Sequence, residues 1–95
     1  MTEIEVNRLA DEQFPLRFRV RLVDEDGSST EHDVRLSRSD CEDLGGGYPT
    51  SEAFICACLE FLLEREAKES ILPSFDVSQI SIYFPEFDRQ IIRPS

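Results

Sequence analysis

His32 is the only histidine of this chain, and if the fold joined it to the Cys41 thiol it could serve as base to a nucleophile. Nothing near either residue supports that pairing. There is no nucleophile elbow, no cysteine-enzyme signature and no oxyanion donor that spacing alone reveals. The strand register argued below puts His32 on an apolar face, where a lone histidine is expected to be packed or hydrogen-bonded. The Gly45-Gly46-Gly47-Tyr48 stretch is the other candidate wall of such a site. A glycine run that opens a helix can cradle phosphate, but G-x-x-x-x-G-K-[ST] is absent and Tyr48-Pro49 intervenes before the helix.

The acidic groups offer little more. Asp24, Asp26, Gly27 and Ser28 briefly follow a calcium loop, yet glycine stands at the fourth loop position instead of the sixth, and Arg35 takes the twelfth, which needs a bidentate Glu. A hairpin turn is expected there. Asp40, Cys41, Glu42 and Asp43 could crowd a divalent ion, but consecutive residues diverge on a helix, so a solvated turn is expected. Glu60 and Glu64 share a helix face and could do acid–base work only if their surroundings split their pKa values. With Lys68 one turn on, they read as solvent charges and an i,i+4 pair. Cys56 and Cys58 stand about 200° apart around a helix, so they neither chelate one metal nor pair, and serve as small core residues. No catalytic, cofactor-binding or metal-binding residue is therefore assigned, and no cofactor is expected.

Phe75, Tyr83, Phe84 and Phe87 form an aromatic cluster with prolines on both sides. It is either the second half of a core or an exposed rim that meets a partner. Leu63, Tyr83, Phe84 and Phe87 are the candidate partner-interface residues.

These groups must be positioned by a small set of elements. From Ser51 to Glu66, Phe54, Ile55, Cys58, Leu59, Phe61 and Leu62 make one helical stripe, which Ala53, Cys56, Ala57 and Leu63 widen past half the circumference. Thr50 or Ser51 caps this helix, Arg65 and Lys68 complement the dipole near its end, and Leu72-Pro73 closes it. Before it, Leu16 to Val23 alternates as a strand, and Thr30 to Leu36 resumes the alternation. A three-residue loop, Glu25-Asp26-Gly27, with Gly27 left-handed, keeps the apolar faces together. It pairs Leu22 with Thr30, Val20 with His32 and Phe18 with Val34, and sets Arg21 against Glu31 and Arg19 against Asp33.

Ser37 and Asp40 mark the start of a short helix that the glycines stop. Ile4 and Val6 alternate as an edge strand would, but residues 1–13 are expected to be only partly ordered. Asp76 with Gln79 makes a capping box for a short helix from Val77 to Tyr83 or Phe84, ended by Pro85, although Ile80, Ile82 and Phe84 also alternate like a strand. Phe87 to Ile92 is expected to run back extended, with Ile91 and Ile92 covering a core edge or adding a strand.

The fold class is α+β: an antiparallel hairpin packed on one long central helix, with one or two short helices and a C-terminal extended arm. The 95 residues, 40% hydrophobic and 32% charged, make one soluble domain with a core of its own. No secretory segment or membrane-length apolar run is seen, and three cysteines without metal spacing fit a reducing compartment, so a cytoplasmic location is expected. Twenty acids against ten basic residues give a net charge of −10, which argues against nucleic acid as a partner. Residues 14–38 carry five charges of each sign, whereas 40–69 hold eight acids against Arg65 and Lys68.

The phrases EFLLERE, SILPSFDVSQI and YFPEF resemble a family of small uncharacterised bacterial proteins, over roughly residues 14 to 92. The resemblance implies a bacterial origin and a helical Val77 to Phe84, and carries no functional residue. The central helix has more apolar surface than a two-stranded hairpin covers. The expected function is therefore a non-enzymatic protein–protein interaction or self-associating domain, partnered by a second copy or another protein. The alternative is a small ligand-binding protein or enzyme using His32, Cys41 and the Gly45–Tyr48 loop.

Overall fold

Strands β2 (Leu16–Val23) and β3 (Ser29–Leu36) form the hairpin on which the chain is built. Their pairing is the register that a three-residue loop demands, with Leu22 opposite Thr30, Val20 opposite His32 and Phe18 opposite Val34. The Asp24 N–H donates to Ser28 O at 2.9 Å, and Gly27 turns the chain at φ +87°, a conformation that a Cβ disfavours. The Asp26 carboxylate accepts from the Ser28 N–H at 2.9 Å and braces the turn. Arg19 pairs with Asp33 at 3.1 Å as the register requires. Arg21 departs from expectation: it lies opposite Glu31, but its guanidinium reaches Glu5 of the neighbouring strand at 3.7 Å.

That neighbour is β1 (Glu3–Arg8), antiparallel to β2. The computed structural model describes residues 2–9 and 13–92; of the amino-terminal stretch expected to be partly ordered, residues 1 and 10–12 lie outside them. The remainder includes the edge strand that Ile4 and Val6 suggest: β1 pairs with β2, and both side chains pack against the core. A fourth strand, β4 (Ser74–Asp76), runs parallel to β3, so the sheet is mixed, in the order β1-β2-β3-β4. Asp33 N–H to Pro73 O at 2.8 Å and Val77 N–H to Arg35 O at 2.9 Å extend that ladder at both ends.

Between β3 and β4 come helices α1 (Arg38–Leu44) and α2 (Ser51–Leu63) and a single 3₁₀ turn, Lys68–Ser70. Ser37 Oγ accepts from Asp40 N–H and Thr50 Oγ1 from Ala53 N–H, so both helices start at their expected caps. A Cβ on Gly45 would stand 2.8 Å from Cys41 O, so only glycine fits that close approach. Helix α2 stops at Leu63, well before Pro73. Arg65 ends it: the guanidinium stacks 3.6 Å from the Phe61 ring centroid and donates to Phe61 O at 3.0 Å, capping a carbonyl of the last turn.

After β4, helix α3 (Ser78–Tyr83) is opened by the expected box, with Asp76 N–H donating to Gln79 Oε1 at 2.8 Å and Ser78 N–H to Asp76 Oδ1 at 3.0 Å. The extended arm is not observed. Phe87–Ile91 is a short helix, α4, which buries both of its end residues. The fold is α+β with one long helix lying on a four-stranded sheet, and the core joins the inner face of β2 and β3 to α2, β4, α3 and α4.

The extra strands and α4 change the balance at α2. Phe54, Leu59 and Leu62 are buried and Leu63 is half-buried against the core, so one chain shields the wide apolar girth of this helix. The central helix therefore gives no ground for association.

Candidate functional site

The residues with chemical potential are held in structural contacts. His32, only 3% exposed on β3, has its Nδ1 2.7 Å from Leu72 O and its Nε2 2.8 Å from Thr30 Oγ1. A carbonyl oxygen only accepts, so Nδ1 carries the proton, and in the neutral ring Nε2 accepts from the Thr30 hydroxyl. Both nitrogens are thus engaged, and the imidazole is a strut between β3 and the segment entering β4.

Cys41 lies half-buried on α1, against the core. Burial raises the pKa of the Cys56 thiol, with the Glu60 carboxylate 3.6 Å away adding to the shift, and burial pushes the Cys58 thiol up further, so both stay protonated. In the glycine loop, Tyr48 O–H donates to Ile91 O at 2.6 Å while its ring meets Phe54 edge-on at 5.4 Å. The loop clamps α4 onto α2.

The charges are also arranged differently from expectation. Glu64 pairs with Arg65 at 3.5 Å, and the i,i+4 partner Lys68 has turned inward. The Lys68 side chain is 3% exposed, with Nζ 2.6 Å from Asp24 Oδ2 and a second contact to the Glu69 carboxylate. Thr2 Oγ1 donates to the other Asp24 oxygen at 2.7 Å. The supposed calcium loop thus supplies an internal anion for a buried ammonium. Hydrogen bonding to Asp24 and then Glu69 holds the Lys68 amine above its ordinary pKa, and the same amine holds Asp24 below its own. Lys68 is the only lysine in the chain, the one signal of this role in the sequence. Asp40 keeps one buried oxygen, Oδ2, without a partner among the described residues; burial raises its pKa and the nearby Asp76, Asp88 and Asp43 carboxylates add to the shift.

Two clefts remain open among the described residues: a polar one of about 210 Å³ beside α4, edged by Tyr48, Glu60, Glu64 and Gln90, and a more apolar groove of about 320 Å³ where the end of α2, the 3₁₀ turn, β4 and α3 meet. Its floor is Leu62, Ile71, Phe75, Ile80 and Phe84; Leu72 and Tyr83 form the lips, and Glu66, Ser70 and Gln79 the polar rim. Helix α3 is too short to close it. The turn at Phe84 leaves Tyr83 64% exposed and the neighbouring Ile82 74% exposed, while Leu72 is 42% exposed. Of the expected interface residues, Tyr83 and Phe84 line the groove, whereas Leu63 is not among its lining residues and is half-buried against the core. Phe87 is corrected: it is fully buried, edge-on to Phe61 at 5.0 Å, and offers a partner nothing.

The electrostatics of the rim are one-sided. Arg65, the nearest cation by sequence, is held on Phe61 and by Gln90 Oε1 at 2.9 Å and Glu86 at 3.6 Å. The Glu66 carboxylate has no hydrogen bond or ion pair among the described residues, and it is half-buried. Among the described residues no group of three or more His, Cys, Asp or Glu side chains could hold a metal ion, and no helix is long and apolar enough to cross a membrane. No protein-family model, curated protein or solved structure matches this chain.

Proposed function

We propose that this chain is a non-enzymatic protein-interaction domain that receives apolar side chains of a partner, or of a second copy, in the groove between α2 and α3. The observation that carries this reading is the groove, apolar in its floor and lips, with Tyr83 and Leu72 of its lining left in water. Of the four large apolar side chains left exposed among the described residues, three, Leu72, Ile82 and Tyr83, lie on α3 or the segment before β4, and only Ile92 lies elsewhere.

The test is an NMR titration of the labelled chain with a neutral amphipathic peptide of leucine and glutamine, alongside sedimentation from micromolar to millimolar protein. The expected result is a set of shifts confined to Ser70, Leu72, Gln79 and Tyr83, or a mass that grows with concentration, either one abolished by Tyr83→Asp. A monomer at every concentration with no movement of these amides would contradict the proposal.

A further inference from the structure

We infer that the occupant of this groove is a cationic amphipathic segment of another protein, which seats an apolar side chain over Ile71, Phe75 and Ile80 and lays a lysine or arginine against Glu66. The inference rests on the groove-binding function proposed above and adds the sign of the partner's charge.

Among the described residues Glu66 is the only charged one lining the groove. Between Glu60 and Glu86 every other acid has a partner within the chain. Glu60 takes the Cys56 thiol, Glu64 and Glu86 take Arg65, Glu69 takes Lys68, and Asp76 caps α3. Glu66 alone is unpartnered while standing half-buried at the edge of an apolar surface. A carboxylate in that setting gains most from a cation brought up by an incoming chain, because the same contact excludes water from both.

Among the described residues no cation pairs with Glu66, and Arg65 and Lys68, its neighbours in sequence, are both turned to other acids. Gln79 uses its Oε1 on Asp76 N–H, leaving its amide N–H groups on the rim for a carbonyl of the incoming segment. The net charge of −10 attracts a basic partner from a distance and opposes a second copy of this chain. A symmetric pairing, groove to groove, would bring two unpartnered Glu66 carboxylates toward each other. A groove of this size holds the anchoring side chains of an amphipathic helix, with the polar face of that helix left over the rim.

The experiment compares three synthetic peptides that share one leucine pattern and carry lysine, glutamine or glutamate on the polar face, each titrated into the full-length labelled chain. The lysine peptide should bind about fivefold tighter than the glutamine peptide and move the Ser70, Leu72, Gln79 and Tyr83 amides. Its advantage should shrink as salt rises to about 0.5 M. Glu66→Gln should erase that advantage, and Glu60→Gln, an equal change of net charge at a residue outside the groove lining, should leave it intact. The inference is overturned if lysine and glutamine peptides bind the groove equally, or if Glu60→Gln costs as much as Glu66→Gln. In both of those cases groove binding itself survives. Groove binding fails separately if no peptide moves the groove amides and the chain stays monomeric.

Discussion

The two flanks of α2 are built from similar residues and end differently. On one, Phe61 is enclosed by Phe87 at 5.0 Å, with α4 held down by the Tyr48 hydroxyl on Ile91 O and by Arg65 on Gln90. On the other, Leu62 faces Ile80 and Phe84 across an open groove, and α3 turns Ile82 and Tyr83 toward solvent. Apolar content does not separate these flanks. A polar strut does: α4 is anchored by hydrogen bonds from distant segments, whereas the capping bonds of α3 come from Asp76, the last residue of the strand just before it, and from Gln79 in its own first turn. Phe61 and Phe87 are enclosed where neighbouring donors hold the covering element in place.

The sharpest way to break the contrast is to empty each flank. Phe87→Ala should cost about 3–5 kcal/mol in urea unfolding, because a fully buried ring leaves a cavity. Lys68→Met comes next. It strands Asp24 between Thr2 and a methyl group, and should lower the melting temperature by less than Phe87→Ala does.

The Lys68 knot also sets a pH signature. Asp24 and Glu69 lie below their ordinary values of 3.8 and 4.5, so their stabilising share is complete above those values and is lost as pH falls through the lower folded ones. The Lys68 amine lies above its ordinary 10.5, so its share is complete below that value and is lost only as pH rises through the higher folded one. Thermal melts of the wild type should therefore fall away below about pH 4, and Lys68→Met should flatten that acid limb.

Smaller effects test the struts. Tyr48→Phe should cost about 1 kcal/mol and speed hydrogen exchange in α4, since it removes the bond to Ile91 O. Asp40→Asn should instead stabilise by roughly 0.5 kcal/mol at neutral pH, because the native carboxylate keeps an oxygen unpartnered. The Asp40 pKa is raised above 3.8, so the native group contributes most when protonated and loses that share as pH rises through the folded value. The gain from asparagine should accordingly vanish in acid. Ile82→Ser should change stability least, within about 0.5 kcal/mol, because that side chain already lies in water.

The legible parts of this fold are those where local chemistry leaves one solution. The loop carrying Gly27 and the alternating faces of β2 and β3 admit one register, and the Asp76–Gln79 box decides between helix and strand for residues 78–83. Strand β4 is three residues long and turns a single buried side chain, Phe75, to the core, too little for any period to show. In α4 the buried residues Phe87 and Ile91 are four apart, a helical spacing that the adjacent Ile91-Ile92 pair disguised as an extended edge. The groove could be traced only to Tyr83 and Phe84. Its other wall comes from the 3₁₀ turn and Leu72, placed there because Lys68 is drawn inward to Asp24, a long-range pairing that no local pattern announces. Without β1, β4 and α4, the exposed surface is assigned to α2; with them, it moves to α3.

The most direct test uses the two tyrosines as reporters, through photochemically induced nuclear polarisation of their rings. In the free chain the Tyr83 ring should polarise strongly and the Tyr48 ring, clamped between Phe54 and Ile91, weakly. Adding the leucine–lysine peptide should suppress the Tyr83 signal and leave Tyr48 unchanged. Equal polarisation of both rings in the free chain, or a Tyr83 signal untouched once the peptide is bound, would contradict a clamped flank beside an open, partner-binding one.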